Sequence, residues 1–183
     1  MAHTETVVDT LRFRRVLGHF CTGVTVVTGA GPVGFACQAF AALSLDPPLV
    51  LFCPSRTSST WDSIARSGVF CVNVLAEDQR DVSRTFGSSG ADKFTGIGWS
   101  PAPSGSPVLD GALTWADCEI ETTHPAGDHD LVIGRLTQLG PVRDAPPLLF
   151  YKGRYTGIAA TSPHEPPELV DTLLAWPRHT EWI

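Results

Sequence analysis

Three groups of residues have types and spacings that chemistry uses. Ser55, Thr57, Ser58, Ser59 and Thr60 crowd hydroxyls into six positions directly before a helical pattern. Hydroxyls beside the free N–H groups and positive dipole end of a helix N-terminus are what a phosphate group needs. The same residues also serve simply as a helix cap. Upstream, Gly34, Ala36 and Ala39 alternate with Phe35, Cys37 and Gln38. Small side chains let a flat aromatic ring approach the backbone, and the Gln38 amide both donates and accepts at a ring edge. An ordinary core strand with one polar residue on its wet face has the same pattern. His129 follows Gly127-Asp128 at the start of a strand-like run. A lone histidine is more often structural than catalytic. No Ser/His/Asp order or nucleophile elbow accompanies it, and His124, Asp128 and His129 fit no standard metal spacing. Arg84, Lys93 and the Gly87–Gly90 loop offer further charge and open backbone.

The elements that must position these groups follow from periodicity. Asp9 or Thr10 caps a helix predicted to run to about Phe20, with Phe13, Val16, Leu17 and Phe20 on one face. Residues 25–29 read as a strand, Ala30-Gly31-Pro32 as a turn, and 33–43 as its hairpin partner. Asp46-Pro47-Pro48 excludes helix, and the apolar run 49–53 predicts a strand covered on both faces. Ser59 with Asp62 predicts a capped helix closed by Gly68. A strand over 69–75 and a polar helix from Glu77 to Phe86 come next, then glycine-rich irregular chain and a loop over 101–107. Residues 113–123 alternate, with Ala116, Cys118 and Ile120 inward and Asp117, Glu119 and Glu121 outward. Residues 129–139 supply the hairpin partner, and 148–158 a last strand and turn. After prolines at 163, 166 and 167, a short amphipathic helix is expected near Leu169 to Trp176. Six or seven strands joined by antiparallel hairpins, with short peripheral helices, predict a mainly β, closed or nearly closed Greek-key-like barrel. No strand–GxGxxG–helix unit occurs, so a nicotinamide cofactor would not be held by a Rossmann fold.

Composition bounds the function. The 183 residues suit one domain, with a core over about 10–158 and a tail from 159 to 183. A net charge of −6 without a Lys/Arg cluster argues against nucleic acid. No apolar run reaches the roughly 18 residues of a membrane span, and Met1 to Thr10 lacks a signal-peptide pattern. A cytoplasmic location is expected. The five cysteines stand 16 to 47 residues apart in apolar contexts and read as buried packing residues rather than metal ligands.

Six ordered stretches carry a family resemblance. They are FRRVLGHFCTGVTVVT at 13–28, VGFACQAFAALSLDPPLVLFCP at 33–54, FCVNVL at 70–75, ADKF at 91–94, GDH at 127–129 and LLFYKGRY at 148–155. Together they resemble the flavin reductases of two-component flavin-dependent monooxygenases. The 4-hydroxyphenylacetate 3-monooxygenase reductase type is one example, and the reductase partners of actinobacterial steroid-degradation monooxygenases are the nearest. The resemblance implies an FMN-binding split β-barrel that works as a homodimer. It implies flavin, FAD or FMN, held by Gly34, Phe35, Ala36, Cys37, Gln38, Ala39, Ser44, Cys53, Pro54, Ser55, Ser59, Thr60, Arg84, Phe86 and Lys93. Arg84-Thr85-Phe86 departs from the commoner pattern, in which arginine immediately precedes the phenylalanine. NADH is implied at His129, Tyr151, Arg154 and Tyr155, with His129 a positioning hydrogen-bond donor for the nicotinamide. Arginines suited to a 2′-phosphate are scattered, which favours NADH over NADPH. The implied activity is hydride transfer from NADH to flavin, with the reduced flavin passing to a separate monooxygenase. A non-catalytic flavin-binding or redox-sensing barrel is the alternative. A split-barrel oxidase of a phosphorylated vitamin ranks last for want of a basic cluster.

Overall fold

The computed structural model describes residues 8–90 and 92–158. Helix α1 (Thr10–Leu17) begins at Asp9, whose carboxylate accepts from the Leu11 and Arg12 N–H groups. An aspartate there satisfies donors that have no helical partner. The helix stops short of Phe20, and Phe13, Val16, Leu17 and Phe20 all remain exposed.

Strands β1 (Thr22–Gly23) and β2 (Thr25–Gly29) follow, and β2 forms the expected hairpin with β3 (Val33–Cys37). Gly31 in that turn has φ 85°, a conformation side-chain-bearing residues avoid. The strand expected over 33–43 is broken. The chain bends at Gln38-Ala39 and resumes as β4 (Phe40–Leu45), which pairs with β5 (Pro48–Phe52). With β6 (Val69–Val74), β9 (Thr114–Ala126) and β10 (His129–Leu139) these make one antiparallel sheet ordered β3-β2-β6-β9-β10-β5-β4.

The edges of that sheet, β3 and β4, are separated along the chain only by Gln38 and Ala39. The sheet must therefore roll until its edges meet at that point. The Cys53 N–H donates to the Ala39 carbonyl at 3.1 Å, and the Phe35 and Phe52 rings approach to 6.2 Å. Among the described residues no ladder joins β3 to β4, so the barrel is split along this seam. Its core centres on Phe52, whose ring lies 4.9 Å from Phe70 and 5.7 Å from Trp61. Helices α2 (Ser59–Ser67) and α3 (Arg80–Gly87) both pack on β3, α2 sending Trp61 and Ile64 into the core around Phe52 and α3 joining Phe86 to a second cluster with Val24, Val26 and Leu75.

Some expectations need correction. β5 is fully covered on one face only: Val50 and Phe52 are buried, whereas Leu49 and Leu51 on the opposite face are half-buried. The 101–107 loop is the turn of a short hairpin between β7 (Trp99–Pro101) and β8 (Pro107–Leu109). Asp117, read as outward, is buried; its carboxylate accepts from the Ser104 N–H at 2.9 Å and the Ser104 hydroxyl at 2.6 Å. The expected last strand is a hairpin of β11 (Leu149–Tyr151) and β12 (Arg154–Thr156), with β1 beside β11. The expected helix near Leu169 to Trp176 lies outside the described residues. Among the described residues no helix is long and apolar enough to cross a membrane.

Candidate functional site

The hydroxyl-rich loop is fixed to the start of β10. Ser55 bridges His129, the Arg56 N–H donates to the Asp128 carbonyl at 3.1 Å, and the Asp130 N–H donates to the Pro54 carbonyl at 3.0 Å. Asp130 also receives the Trp61 indole N–H at 2.9 Å and lies 3.5 Å from Arg56 Nε. Helix α2 is thereby set in register with His129. Its cap is Ser58, not the expected Ser59; the Ser58 hydroxyl accepts from the Trp61 N–H at 3.2 Å. The Ser59 and Thr60 N–H groups stand in the first turn, where a helix offers no acceptor.

That loop is one wall of a cleft of about 940 Å³. The floor is Phe35 through Ala39 with Cys53 and Pro54. The facing wall is the end of α3 (Ser83, Arg84, Phe86, Gly87), the loop Ser88–Gly90, and Lys93. His129 stands at one end, and Val24, Phe150 and Tyr155 also line the space.

Gly34 lies beneath this surface. A Cβ there would come 2.8 Å from Phe86 Cε1, so glycine is what lets α3 close on β3. Lys93 locks the same contact: its Nζ donates to the Gly34 carbonyl at 3.3 Å and the Phe86 carbonyl at 3.1 Å. Desolvation holds its pKa below the ordinary lysine value. Arg84 pairs with Asp81 at 3.1 Å, and its guanidinium lies 5.8 Å from the Tyr155 ring centre. The Tyr155 hydroxyl is 2.9 Å from the Ser83 hydroxyl.

Burial pushes the Cys37 thiol up to about 11 and raises Cys53 as well, so both line the cleft as neutral groups. His129 Nδ1 lies 2.7 Å from Asp128 Oδ1, and that bond holds the Asp128 carboxyl below its ordinary range. An ionised carboxylate only accepts, so Nδ1 carries the proton. Nε2 is the ring nitrogen left for a ligand, an acceptor in the neutral imidazole and a donor in the imidazolium.

Ser44, Tyr151 and Arg154 do not reach the cleft. Ser44 pairs with Leu49 on the far strand of the sheet. Tyr151 and Arg154 pair with each other across β11 and β12, while the neighbouring pair Phe150 and Tyr155 faces the cleft. Val24, Ser83 and Phe150 were not expected there. Ser83 sits three residues before Phe86 on α3, a helical spacing that points to the same face; nothing local marks Val24 or Phe150.

Residues 17–159 match the model of the flavin reductase like domain. The chain belongs to the flavin reductase family. It is 57% identical over 154 residues to the reductase subunit HsaB of a flavin-dependent monooxygenase from Rhodococcus jostii, covering 82% of this chain and 79% of that one. A crystal structure of nitrilotriacetate monooxygenase component B from Mycobacterium thermoresistibile matches with a TM-score of 0.81 at 54% identity, over 86% of this chain and 92% of that chain. An NADH:FAD oxidoreductase of Streptomyces globisporus, in complex with NAD and FAD fragments, matches with a TM-score of 0.82 at 32% identity, over 88% of this chain and 99% of that chain. The split barrel expected from the resemblance is thus the fold of solved flavin reductases.

The residues of the cleft fit the flavin that the family implies. Ala36 and Ala39 leave the floor open to a flat ring, and Gln38 supplies an amide at its edge. The unpartnered Ser59 and Thr60 N–H groups and their hydroxyls suit a phosphate at the positive end of α2.

Proposed function

We propose that this flavin reductase oxidises NADH, reduces FAD or FMN, and releases the reduced flavin to a separate flavin-dependent monooxygenase. One observation carries the reading: a helix N-terminus with free N–H groups, a floor of small residues and His129 converge on a single cleft. The relatives' naming as reductase components of monooxygenases supports the partner, and the NADH:FAD oxidoreductase supports both cofactors.

Ser59 and Thr60 would hold the flavin phosphate and the 35–39 floor would carry the ring, with Gly87 and the Ser88–Gly90 loop facing it across the cleft. When bound, the two cofactors would supply the redox chemistry, a hydride passing from nicotinamide C4 to flavin N5. The chain needs no general base for that step. Its part is to orient two rings and keep water out. His129 accepts a carboxamide N–H of the nicotinamide through Nε2, with Asp128 fixing the tautomer.

The chain acts as one domain and as a homodimer. Leu11 and Phe20 of the N-terminal segment are 75% and 76% exposed, and an apolar groove of about 640 Å³ lined by Phe20, Phe40, Ala41 and Leu51 lies beside them. Every copy carries both the apolar helix face and the apolar groove, which is the self-complementarity an isologous dimer requires. The groove shares Gln38 and Ala39 with the cleft, so the second copy borders the flavin site.

Steady-state rates with NADH and NADPH against FAD, FMN and riboflavin test the function. NADH with FAD or FMN is expected to turn over fastest; absence of NADH oxidation with every flavin would refute it.

A further inference from the structure

We propose that a basic pocket between α1 and the β11–β12 turn binds the adenosine phosphate end of a dinucleotide substrate whose reactive ring lies in the main cleft. The inference rests on the function proposed above and extends it to a second subsite.

Positive charge in this protein is segregated. Of the twelve described Lys and Arg side chains, five form ion pairs with carboxylates. Among the described residues, five of the other seven (Arg12, Arg14, Arg15, Lys152 and Arg154) lie on two segments only. A backbone bond joins those segments, with the Lys152 N–H donating to the Gly18 carbonyl at 2.8 Å. Between them is a concavity of about 470 Å³ lined by Arg14, Arg15, Gly18, His19, Lys152 and Gly153. That volume is in the range of small-ligand sites.

The negative end of α1 explains the arginines of its last turn. It does not explain Lys152, which comes from another element with φ 50°. Like charges gathered without a counter-charge among the described residues repel one another, and a bound anion relieves that repulsion. Gly153 leaves open space where a side chain would stand, so a phosphate can approach the backbone. Tyr151 adds an aromatic surface at the rim, its ring centre 6.3 Å from that of His19 and 5.2 Å from Lys152 Nζ.

The β11–β12 hairpin joins this pocket to the cleft. Phe150 and Tyr155 line the cleft, and Lys152 and Gly153, at the hairpin tip, line the pocket. One residue on each strand, Tyr151 or Arg154, separates them, a two-residue step of about 7 Å. A pyrophosphate and ribose bridge such a gap, whereas a mononucleotide ends short of it. The net charge of −6 otherwise opposes anionic ligands, so a local positive field steers the dinucleotide's outer end.

FAD and NADH carry the same adenosine diphosphate chemistry, and the test separates them. KM values would be measured for FAD and FMN, and for NADH and reduced nicotinamide mononucleotide, in wild type, Lys152→Ala and Arg14→Ala/Arg15→Ala. Circular dichroism would confirm folding, and Lys152→Arg serves as the conservative variant. Calorimetry with ADP provides a readout independent of turnover. A rise of about tenfold in the FAD-to-FMN ratio assigns the pocket to FAD, and the same rise in the nicotinamide ratio assigns it to NADH. ADP affinity falls in parallel, and Lys152→Arg restores it. Unchanged ratios with unchanged ADP binding overturn the proposal, and so does a defect seen only in coupled hydroxylation, which marks a protein-docking surface. Failure of the wild type to oxidise NADH would sink the proposed function instead, and ADP calorimetry would still decide the pocket.

Discussion

Lys93 Nζ donates to the Gly34 carbonyl, and the same ammonium caps the Phe86 carbonyl at the end of α3. This side chain, expected to meet the flavin phosphate, spends two of its three N–H groups fastening α3 to the cleft floor. Lys93→Met leaves both carbonyls without that donor and should cost about 1–3 kcal/mol, read as a lower denaturation midpoint. Flavin KM should rise more than kcat falls, with Lys93→Arg partly restoring it. Gly34→Ala presses a methyl on Phe86 and should cost about 1–3 kcal/mol by overpacking. If Lys93→Met weakened flavin binding with no loss of stability, Lys93 would be a phosphate ligand and not a fastening.

Ser58 and its neighbours divide their work. Ser58 closes α2, so Ser58→Ala should lower stability by about 1 kcal/mol, the usual cost of losing an N-cap. Ser59→Ala with Thr60→Val removes no bond that the fold uses, and should weaken FMN while leaving riboflavin unaffected. Equal losses for FMN and riboflavin would contradict a phosphate site. Fluorescence titration of each flavin makes the comparison.

His129 is set by its neighbours rather than by packing. His129→Ala should raise the NADH KM about tenfold, the scale of one lost hydrogen bond in a binding site, without changing flavin affinity. Asp128→Asn replaces a group that only accepts with one that can also donate, so the ring tautomer is no longer fixed; a smaller rise in the same direction is expected. The depressed Asp128 pKa sets the sign with pH. The Asp128–His129 bond is present above the ordinary carboxylate range and is lost only as pH falls below it, where the carboxyl takes up a proton. An NADH KM that responded to His129→Ala but not to Asp128→Asn would show that the tautomer is irrelevant.

The parts of the site legible in the sequence are those set by short-range chemistry. The hydroxyl run before α2, the small residues of β3 and the Gly68 stop, at φ 74°, are each recognisable within a few residues. Ser58 was displaced by one position because Ser59 and Asp62 mimic a capping box. The break at Gln38-Ala39 left no local mark, since the need for it arises where two sheet edges meet. Asp117 alternated outward correctly, but Ser104, thirteen residues earlier, folds over it. Tyr151 and Tyr155 looked alike in sequence. Pairing across the hairpin sends them to opposite faces, and only Tyr155 meets the cleft.

The apolar face of α1 predicts its own test. Phe13→Glu and Leu17→Glu place charges on residues that are exposed in the single chain, so they should leave the monomer's fold intact. In a dimer they bury unpaired charge and should convert it to monomer by light scattering. Because the groove shares Gln38 and Ala39 with the cleft, flavin affinity should fall with dissociation. A wild-type chain that is monomeric at micromolar concentration would remove the second copy as the occupant.

Cysteine labelling reports the cleft without mutation. Cys71 and Cys118 are buried, and burial raises both thiols, Cys118 to about 12. Cys37 is raised to about 11 and lies in the floor, Cys53 is only partly buried, and Cys21 is exposed. Iodoacetamide reacts with thiolate, so at pH 8 mass spectrometry should find Cys53 modified slowly and the buried three spared, while Cys21, in the groove the second copy covers, reacts first only once the dimer is dissociated. Raising the pH towards 10 should speed Cys37 tenfold per unit, because its thiolate fraction is still far from saturation. Saturating FMN should protect Cys53 and Cys37 and leave Cys21 unchanged, since only the first two line the cleft. Protection of Cys21 instead would place the ligand against the apolar groove, where Cys21 stands beside Phe20 and Phe40.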